Sequence, residues 1–146
     1  MGMFDSINIS SSALNAQRVR MDVIAQNLAN ANTTRTEDGT PYRRKVVVFE
    51  ERKTSFQEVL NNQINNNQIS SGGVRVKAII EDQSPFKRVY DPNHPDADKD
   101  GYVNMPNVDT VTEMVNMIEA SRNYEANITA LNITKSMISR SLEIGK

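Results

Sequence analysis

The residues with the clearest chemical potential lie in one stretch, Asp96-Ala97-Asp98-Lys99-Asp100-Gly101. Carboxylates at alternate positions followed by a glycine open a calcium loop. The carboxylates can converge on one hard cation, and the glycine permits the sharp turn that brings them round. Val103 and Asn104 also suit the eighth and ninth places of such a loop. The twelfth place should carry a glutamate that holds the ion with both oxygens, and it carries Asn107 instead. Pro92, Pro95 and Pro106 leave no room for the flanking helices. The expectation is an acidic, turn-rich surface loop with no metal. The competing reading is a calcium-responsive binding module centred on Asp96 to Asn107. His94 is the only histidine. Set between Asn93 and Pro95, it cannot form a two-histidine metal site. No G-x-S-x-G elbow accompanies it, so a hydrolase built on Ser, His94 and Asp is disfavoured. Neither a Walker-type phosphate loop nor G-x-G-x-x-G is present. With no cysteine in the chain, disulfides, thiolate metal sites and cysteine nucleophiles are excluded. The residues therefore point to a protein without catalytic residues, cofactor or metal, one that is not an enzyme.

The bulk properties agree with a structural role. The 146 residues suffice for one ordinary domain, or for an elongated chain with a small globular part. Hydrophobic residues make up 38%, aromatics only 5%, and tryptophan is absent, which makes a thin core and implies apolar surface buried against other chains. A net charge of -1 provides no electrostatic footprint for nucleic acid. The one basic cluster, Arg43-Arg44-Lys45, is followed by Glu50 and Glu51 and reads as a solvated turn or strand start. No leader with a basic and then an apolar region is visible, and no run reaches transmembrane length. Those criteria alone would place the chain in the cytosol.

The elements that must position these residues form a simple plan. From Ser11 to Asn32 the spacing predicts a helix, with Ile7, Leu14, Met21 and Leu28 recurring every seven residues and Ile24 and Ala31 adding part of a second line. Ala13, Ala16, Ala25 and Ala29 permit close helix approach, and Ser10, Ser11 or Ser12 can supply the N-cap. Asn27, Asn30 and Asn32 weaken the helix toward its end, and Thr33-Thr34 and the Asp38-Gly39 turn stop it. A longer helix is predicted from Thr110 to Glu143. Thr110 and Glu113 form a capping box there, with Asp109 just before it and Gly145 placed to end the helix. Its length would be about 50 Å. Met117, Tyr124, Leu131 and Ile138 repeat every seven residues along it, with Met114, Ile128 and Leu142 on an adjoining line interrupted by Ser121 and Lys135.

The middle of the chain predicts strands at Lys45–Phe49, at Val74–Ile80 after the Gly72-Gly73 turn, and at Phe86–Tyr90. The stretch 55–67 is ambiguous, a short helix around Phe56, Val59 and Leu60 giving way to an Asn/Gln-rich loop. The fold class is α+β: long N- and C-terminal helices pairing as a coiled coil, with a small β-rich inserted domain. The divisions are 1–34, 35–108 and 109–146. Polar residues interrupt both stripes, so the helix pair buries little area. At about 25 cal/mol per Å² this hardly offsets chain ordering at ~1–2 kcal/mol per residue. The terminal helices are thus expected to be marginal in the free chain and fixed on assembly.

Both ends and two internal stretches resemble a known family. Residues 23–33, VIAQNLANANT, look like the N-terminal motif shared by flagellar rod and hook axial proteins, which Asn27, Ala29, Asn30, Asn32 and Thr33 match position by position. Where that family usually continues with a Pro-Gly-Tyr or similar turn, this chain reads NTTRTEDGTPYRRK (32–45), which resembles the branch of the proximal rod. YDPNHPDADKDGYVNMPNVD (90–109) and EMVNMIEASRNYEAN (113–127) are similar to the same branch, so the resemblance covers essentially the whole chain. It implies terminal helices paired as a coiled coil that lines a tube, with the β-rich part outside. It implies export through the flagellum's own type III apparatus without a cleaved signal, reversing the cytosolic placement. The implied partners are other rod proteins, copies of the chain, the hook-basal-body complex protein at the rod base and the surrounding membrane ring. The implied role is a mechanical one in a drive shaft that carries torque. On this basis Leu14, Met21, Ile24 and Leu28, with Met117, Tyr124, Leu131 and Ile138, are the expected coil and subunit contacts. Asn27, Asn30 and Asn32 are candidates for fixing register, since buried amides penalise wrong alignments; ending the helix is their simpler role.

Overall fold

The structure is a computed structural model that describes residues 3–52, 60, 64 and 72–144. Helix α1 spans Met3–Ala29 and helix α2 spans Thr110–Ile144. Between them lie strands β1 (Lys45–Glu51), β2 (Val74–Glu81), β3 (Lys87–Tyr90) and β4 (Tyr102–Met105). The strands form two two-stranded sheets, β1–β2 and β3–β4. The α+β class with two long terminal helices is therefore as expected. Of the ambiguous stretch 55–67, only Leu60 and Ile64 are among the described residues; the expected Asn/Gln-rich loop and the Gly145 stop lie outside them.

Three local expectations change. Helix α1 begins well before the serines that were to cap it. Ser12 is a mid-helix residue whose hydroxyl donates to the Ile9 carbonyl at 2.7 Å and accepts the Val74 N–H at 3.1 Å. A helix-interior serine that bonds back to its own preceding turn no longer needs to sit at a terminus. At the other helix, Asp109 is the cap. Its carboxylate accepts the Val111 N–H and the Thr112 hydroxyl, each at 3.0 Å, and these bonds hold its pKa below the ordinary aspartate value. Glu113 does not reach back to close a capping box and is drawn elsewhere. Strand β4 is new, and it occupies places assigned above to the later part of a metal loop.

Along α2, Glu113, Met117, Ala120, Tyr124, Asn127, Leu131, Thr134 and Ile138 are buried or half-buried. Their spacing alternates between four and three residues, which is a heptad seam. The adjoining line drawn through Met114, Ile128 and Leu142 is exposed. On α1 the line Ile7, Leu14, Met21 and Leu28 is half-buried throughout, and the fully buried positions are Ala16, Val23, Ile24 and Asn27.

The chain falls into two compact units, each taking part of both helices. One comprises Met1–Val19, Phe49–Lys77 and Ala120–Lys146. In it Ala16 and Ala120 are buried, and the Glu50 carboxylate pairs with Arg75 and, at 3.8 Å, with Lys77. Gly73 holds a φ of +114°, and a Cβ there would come within 2.7 Å of the Ser12 hydroxyl, so the chain needs glycine where β2 approaches α1. Gln17 carries a buried Oε1 without a hydrogen-bond partner among the described residues, a weak point on the helix face.

The other unit comprises Arg20–Val48 and Ala78–Glu119. Here the end of α1 and the start of α2 run antiparallel, with Arg20 meeting Glu119 at 3.3 Å and Asn27 meeting Glu113 at 2.9 Å. The β3–β4 hairpin is antiparallel, pairing Lys87 with Met105 through to Tyr90 with Tyr102. Val103 fills the core from β4 while its neighbours in that strand, Tyr102 and Asn104, are exposed.

Candidate functional site

The largest fully buried side chains of the described residues are Glu113, Asn27 and Pro106, so polar groups occupy positions an ordinary core gives to leucine or phenylalanine. Asn27 and Glu113 are each only 1% exposed. A buried carboxylate and a buried amide are costly unless every lone pair and proton is matched.

They are matched. The Asn27 amide nitrogen donates to the Lys45 carbonyl and to Glu113 Oε2, both at 2.9 Å. Its oxygen accepts the Lys45 N–H at 2.9 Å and the Tyr42 hydroxyl at 3.0 Å. All donors and lone pairs of the amide are thereby used. Because Lys45 offers one backbone donor and one backbone acceptor, it also fixes which way the amide faces. The side chain of a helix residue stands in for a neighbouring strand at the start of β1.

Glu113 Oε1 accepts from Arg44 Nε at 2.9 Å, from the Arg44 Nη2 at 2.7 Å and from the Asn116 amide at 3.2 Å. A second carboxylate, Asp82, lies 3.4 Å from Arg44 Nη1. Burial works against the Arg44 charge, but hydrogen bonds and attraction from Glu113 and Asp82 outweigh it and raise the pKa above the ordinary arginine value. Asp82 is held below its ordinary value chiefly by hydrogen bonds from Ser84, with Arg44 adding to them. Asn107 completes the frame, accepting the Arg44 N–H at 2.8 Å and donating to the carbonyls of Asp82 and Ser84 at 3.0 and 3.2 Å. Five segments meet here: the ends of α1 and β2, the start of β1, the turn before α2, and the first turn of α2. We refer to this arrangement as the latch.

Tyr42 is buried against the latch. Burial raises its pKa above 10.0, and the charges of Glu113 and Glu81 raise it further. A group whose folded pKa is raised contributes stability below its unfolded pKa and loses it as pH rises through the folded value. Unfolding midpoints in urea are therefore expected to fall above about pH 10. Tyr42→Phe should cost about 1 kcal/mol at neutral pH and flatten that alkaline decline. An identical decline in the Phe variant would exclude Tyr42 as its source.

The expected site residues distribute as follows. Asn27 is in the latch. Asn30 donates to the Gln26 carbonyl and accepts the Thr33 hydroxyl, closing the helix end, while Asn32 and Ala29 are exposed. The Thr33 carbonyl accepts the Tyr42 N–H at 3.1 Å. Met21, Ile24, Leu28 and Met117 belong to the unit that holds the latch; Leu14, Tyr124, Leu131 and Ile138 belong to the other. The basic run 43–45 leads into β1, which begins at Lys45, but Arg44 is not a solvated residue: two carboxylates hold it half-buried. The composition alone missed Arg44, Glu113, Tyr42, Asp82 and Asn107. One signal was available, since counting the α2 seam backward from Ala120 places Glu113 on it.

The acidic loop joins β3 to β4. Asp96 accepts the Thr34 hydroxyl at 2.8 Å and lies 4.0 Å from Arg35. Asp98 donates its N–H to the Tyr102 carbonyl, and His94 Nδ1 accepts the Asp96 N–H. Among the described residues no three His, Cys, Asp or Glu side chains are grouped so as to hold a metal ion. Gly101, at φ +78°, could not carry a Cβ, which would meet the Tyr90 ring at 2.9 Å. No helix of the described residues is long and apolar enough to cross a membrane.

Residues 7–35 match the model of the family described as "Flagella basal body rod protein", and residues 99–144 match "Flagellar basal body rod FlgEFG protein C-terminal". These segments contain Asn27 and Glu113, the two ends of the latch. Among curated relatives, the flagellar basal-body rod protein FlgC of Bacillus subtilis is 50% identical, with all of both chains aligned. FlgC of Borreliella burgdorferi is 48% identical over 99% of this chain and 98% of its own. FlgC of Salmonella typhimurium is 46% identical over the full length of both. The chain belongs to the FlgC family of flagellar basal-body rod proteins.

Proposed function

We propose that this chain is a structural subunit of the proximal rod of a bacterial flagellar basal body, without enzymatic activity. It assembles helically with other rod proteins and with copies of itself around an export channel, and it transmits motor torque. The observation that carries this reading is full-length similarity to rod proteins in a chain whose antiparallel helix ends are joined by a buried polar latch. A shaft must resist sliding of its elements under load, and a matched buried amide and ion pair resist register shifts more than apolar contact does. Leu14, Met21, Ile24, Leu28, Met117, Tyr124, Leu131 and Ile138 form the coiled-coil and subunit contacts in this reading. The subunit reaches its place through the flagellar type III export apparatus, and its neighbours include the rod-base hook-basal-body complex protein and the membrane ring.

The test is complementation of a strain lacking this chain. The wild-type chain should restore motility and appear in purified basal bodies. Leu28→Asp should do neither, because a helix seam cannot bury an unpaired charge cheaply. A motile deletion strain, or normal incorporation of the Leu28→Asp chain, would overturn the reading.

A further inference from the structure

The start of β2 borders an open slot. Successive strand residues turn their backbone groups to opposite edges. The Gly73 carbonyl accepts the Arg52 N–H at 3.0 Å, so Gly73 and Arg75 face β1. The Val74 N–H reaches the Ser12 hydroxyl at 3.1 Å, so Val74 and Val76 face the other way, toward α1. Helix and strand are pinched together here, where a Cβ on Gly73 would lie 2.7 Å from Ser12 Oγ. Beyond the pinch they part around a cavity of about 400 Å³, with Ala16 and Val19 of α1 on one side and Val74, Arg75 and Val76 of β2 on the other. A face of a strand shows only every second residue, so a cavity touching three in succession lies along the edge. Among the described residues β1 is the only strand paired with β2, and Val76 turns its N–H and carbonyl to the unpaired edge.

The polar side chains around this slot are uncommitted. Asn8, Ser11, Asn15 and Arg52 line it, and none of the four side chains has a hydrogen bond or ion pair among the described residues. Arg75 is paired with Glu50, which leaves Arg52 as the guanidinium open to a ligand. We infer that the slot takes an extended acidic segment of another protein, which adds to β2 as a further strand. Backbone pairing at Val76 would supply affinity, and the alternation of the added strand sorts its side chains. Those on the face of Val74 and Val76 meet an apolar wall completed by Ala16 and Val19. Those on the opposite face lie with Arg75, and with Arg52, which stands across from Gly73 on that same face. A guanidinium selects carboxylates there. The partner segment therefore alternates apolar residues with Asp or Glu. A small anion would use Arg52 but leave the strand edge and the apolar wall unfilled. The inference is independent of the rod-subunit reading.

The test is titration of the isotopically labelled full chain, followed by amide NMR. The probes are the blocked peptide Ala-Glu-Val-Glu-Ala, its counterpart Ala-Lys-Val-Lys-Ala, and inorganic phosphate at matched ionic strength. The glutamate peptide should shift the Val76 amide and saturate, with the lysine peptide binding about tenfold more weakly or worse. Arg52→Glu changes an exposed side chain and should reverse that preference. A glutamate peptide methylated on its backbone nitrogens cannot pair with a strand edge and should lose binding. Equal binding of the two peptides, an unchanged preference in Arg52→Glu, or full binding of the methylated peptide would each overturn the proposal. So would phosphate reproducing the same shifts, which would mean a simple anion site. The Val74 amide, held by Ser12, reports whether the slot has formed, and its rapid exchange in the free chain would overturn the slot itself. None of these outcomes bears on the rod reading, which complementation decides.

Discussion

Glu113→Leu is expected to destabilise the folded chain by about 3–5 kcal/mol, the largest effect of any single substitution in the latch. The carboxylate accepts from Asn27, from Arg44 through two nitrogens and from Asn116, and it is 1% exposed. Removing it leaves the guanidinium half-buried with only Asp82 nearby and orphans one Asn27 proton. A chain of this size has about 5–15 kcal/mol in total, so the loss is a large share. Glu113→Gln keeps an acceptor of the same shape and loses the charge, and should cost less, about 1–3 kcal/mol. The ion pair is distinguished from general packing by the double variant Glu113→Leu with Arg44→Met. Exchanging a buried pair for apolar groups is often neutral, so the double variant should recover much of the loss. Urea unfolding of the four proteins measures this. A single variant within about 1 kcal/mol of wild type would show that the pair is solvated and contributes little.

How much of this was legible in the sequence divides by range. Elements governed by local chemistry were readable: the β-branched run Val46-Val47-Val48 in β1, the glycines before β2, and Asp109-Thr110 at the start of α2. Elements governed by distant partners were not. Strand β4 has one buried residue, Val103, and exists because β3 pairs with it; its residues looked like the end of a cation loop. Ser12 carried a local capping signal that its contact with Val74 overrides. Glu113 carried the signal of a capping box, and Arg44 and Asn27, the latter 86 residues away in sequence, claim it instead. The α2 seam shows the same limit. Its a-like positions, Met117, Tyr124, Leu131 and Ile138, are apolar and visible to a hydrophobic search. Its d-like positions, Glu113, Ala120, Asn127 and Thr134, are small or polar, so the search drew its second line through Met114, Ile128 and Leu142, which are exposed. Periodicity also could not rank the asparagines; only the third dimension shows that Asn27 turns inward and Asn32 outward.

Asn27 carries the second large prediction, because its amide bonds to α2, β1 and Tyr42 at once. Asn27→Ala should cost about 3 kcal/mol, since it orphans the Lys45 N–H and carbonyl, the Tyr42 hydroxyl and a Glu113 oxygen. Lost volume could produce a similar number, and Asn27→Asp separates the two causes. A carboxylate fills the same space but has no donor for the Lys45 carbonyl and sets a second negative charge against Glu113. If hydrogen bonding and charge govern the site, Asn27→Asp at neutral pH is at least as damaging as Asn27→Ala. The introduced carboxyl would have a folded pKa raised by burial and by Glu113, so its protonated form restores a donor. Its relative stability should therefore be higher at acid pH and be lost as pH rises through that folded pKa, a dependence the alanine variant lacks. Urea unfolding of the three proteins from pH 5 to pH 8 gives the answer, with wild type as the reference for ordinary acid effects. If volume governs, Asn27→Asp would match wild type at neutral pH. In that case the latch would be a packing contact.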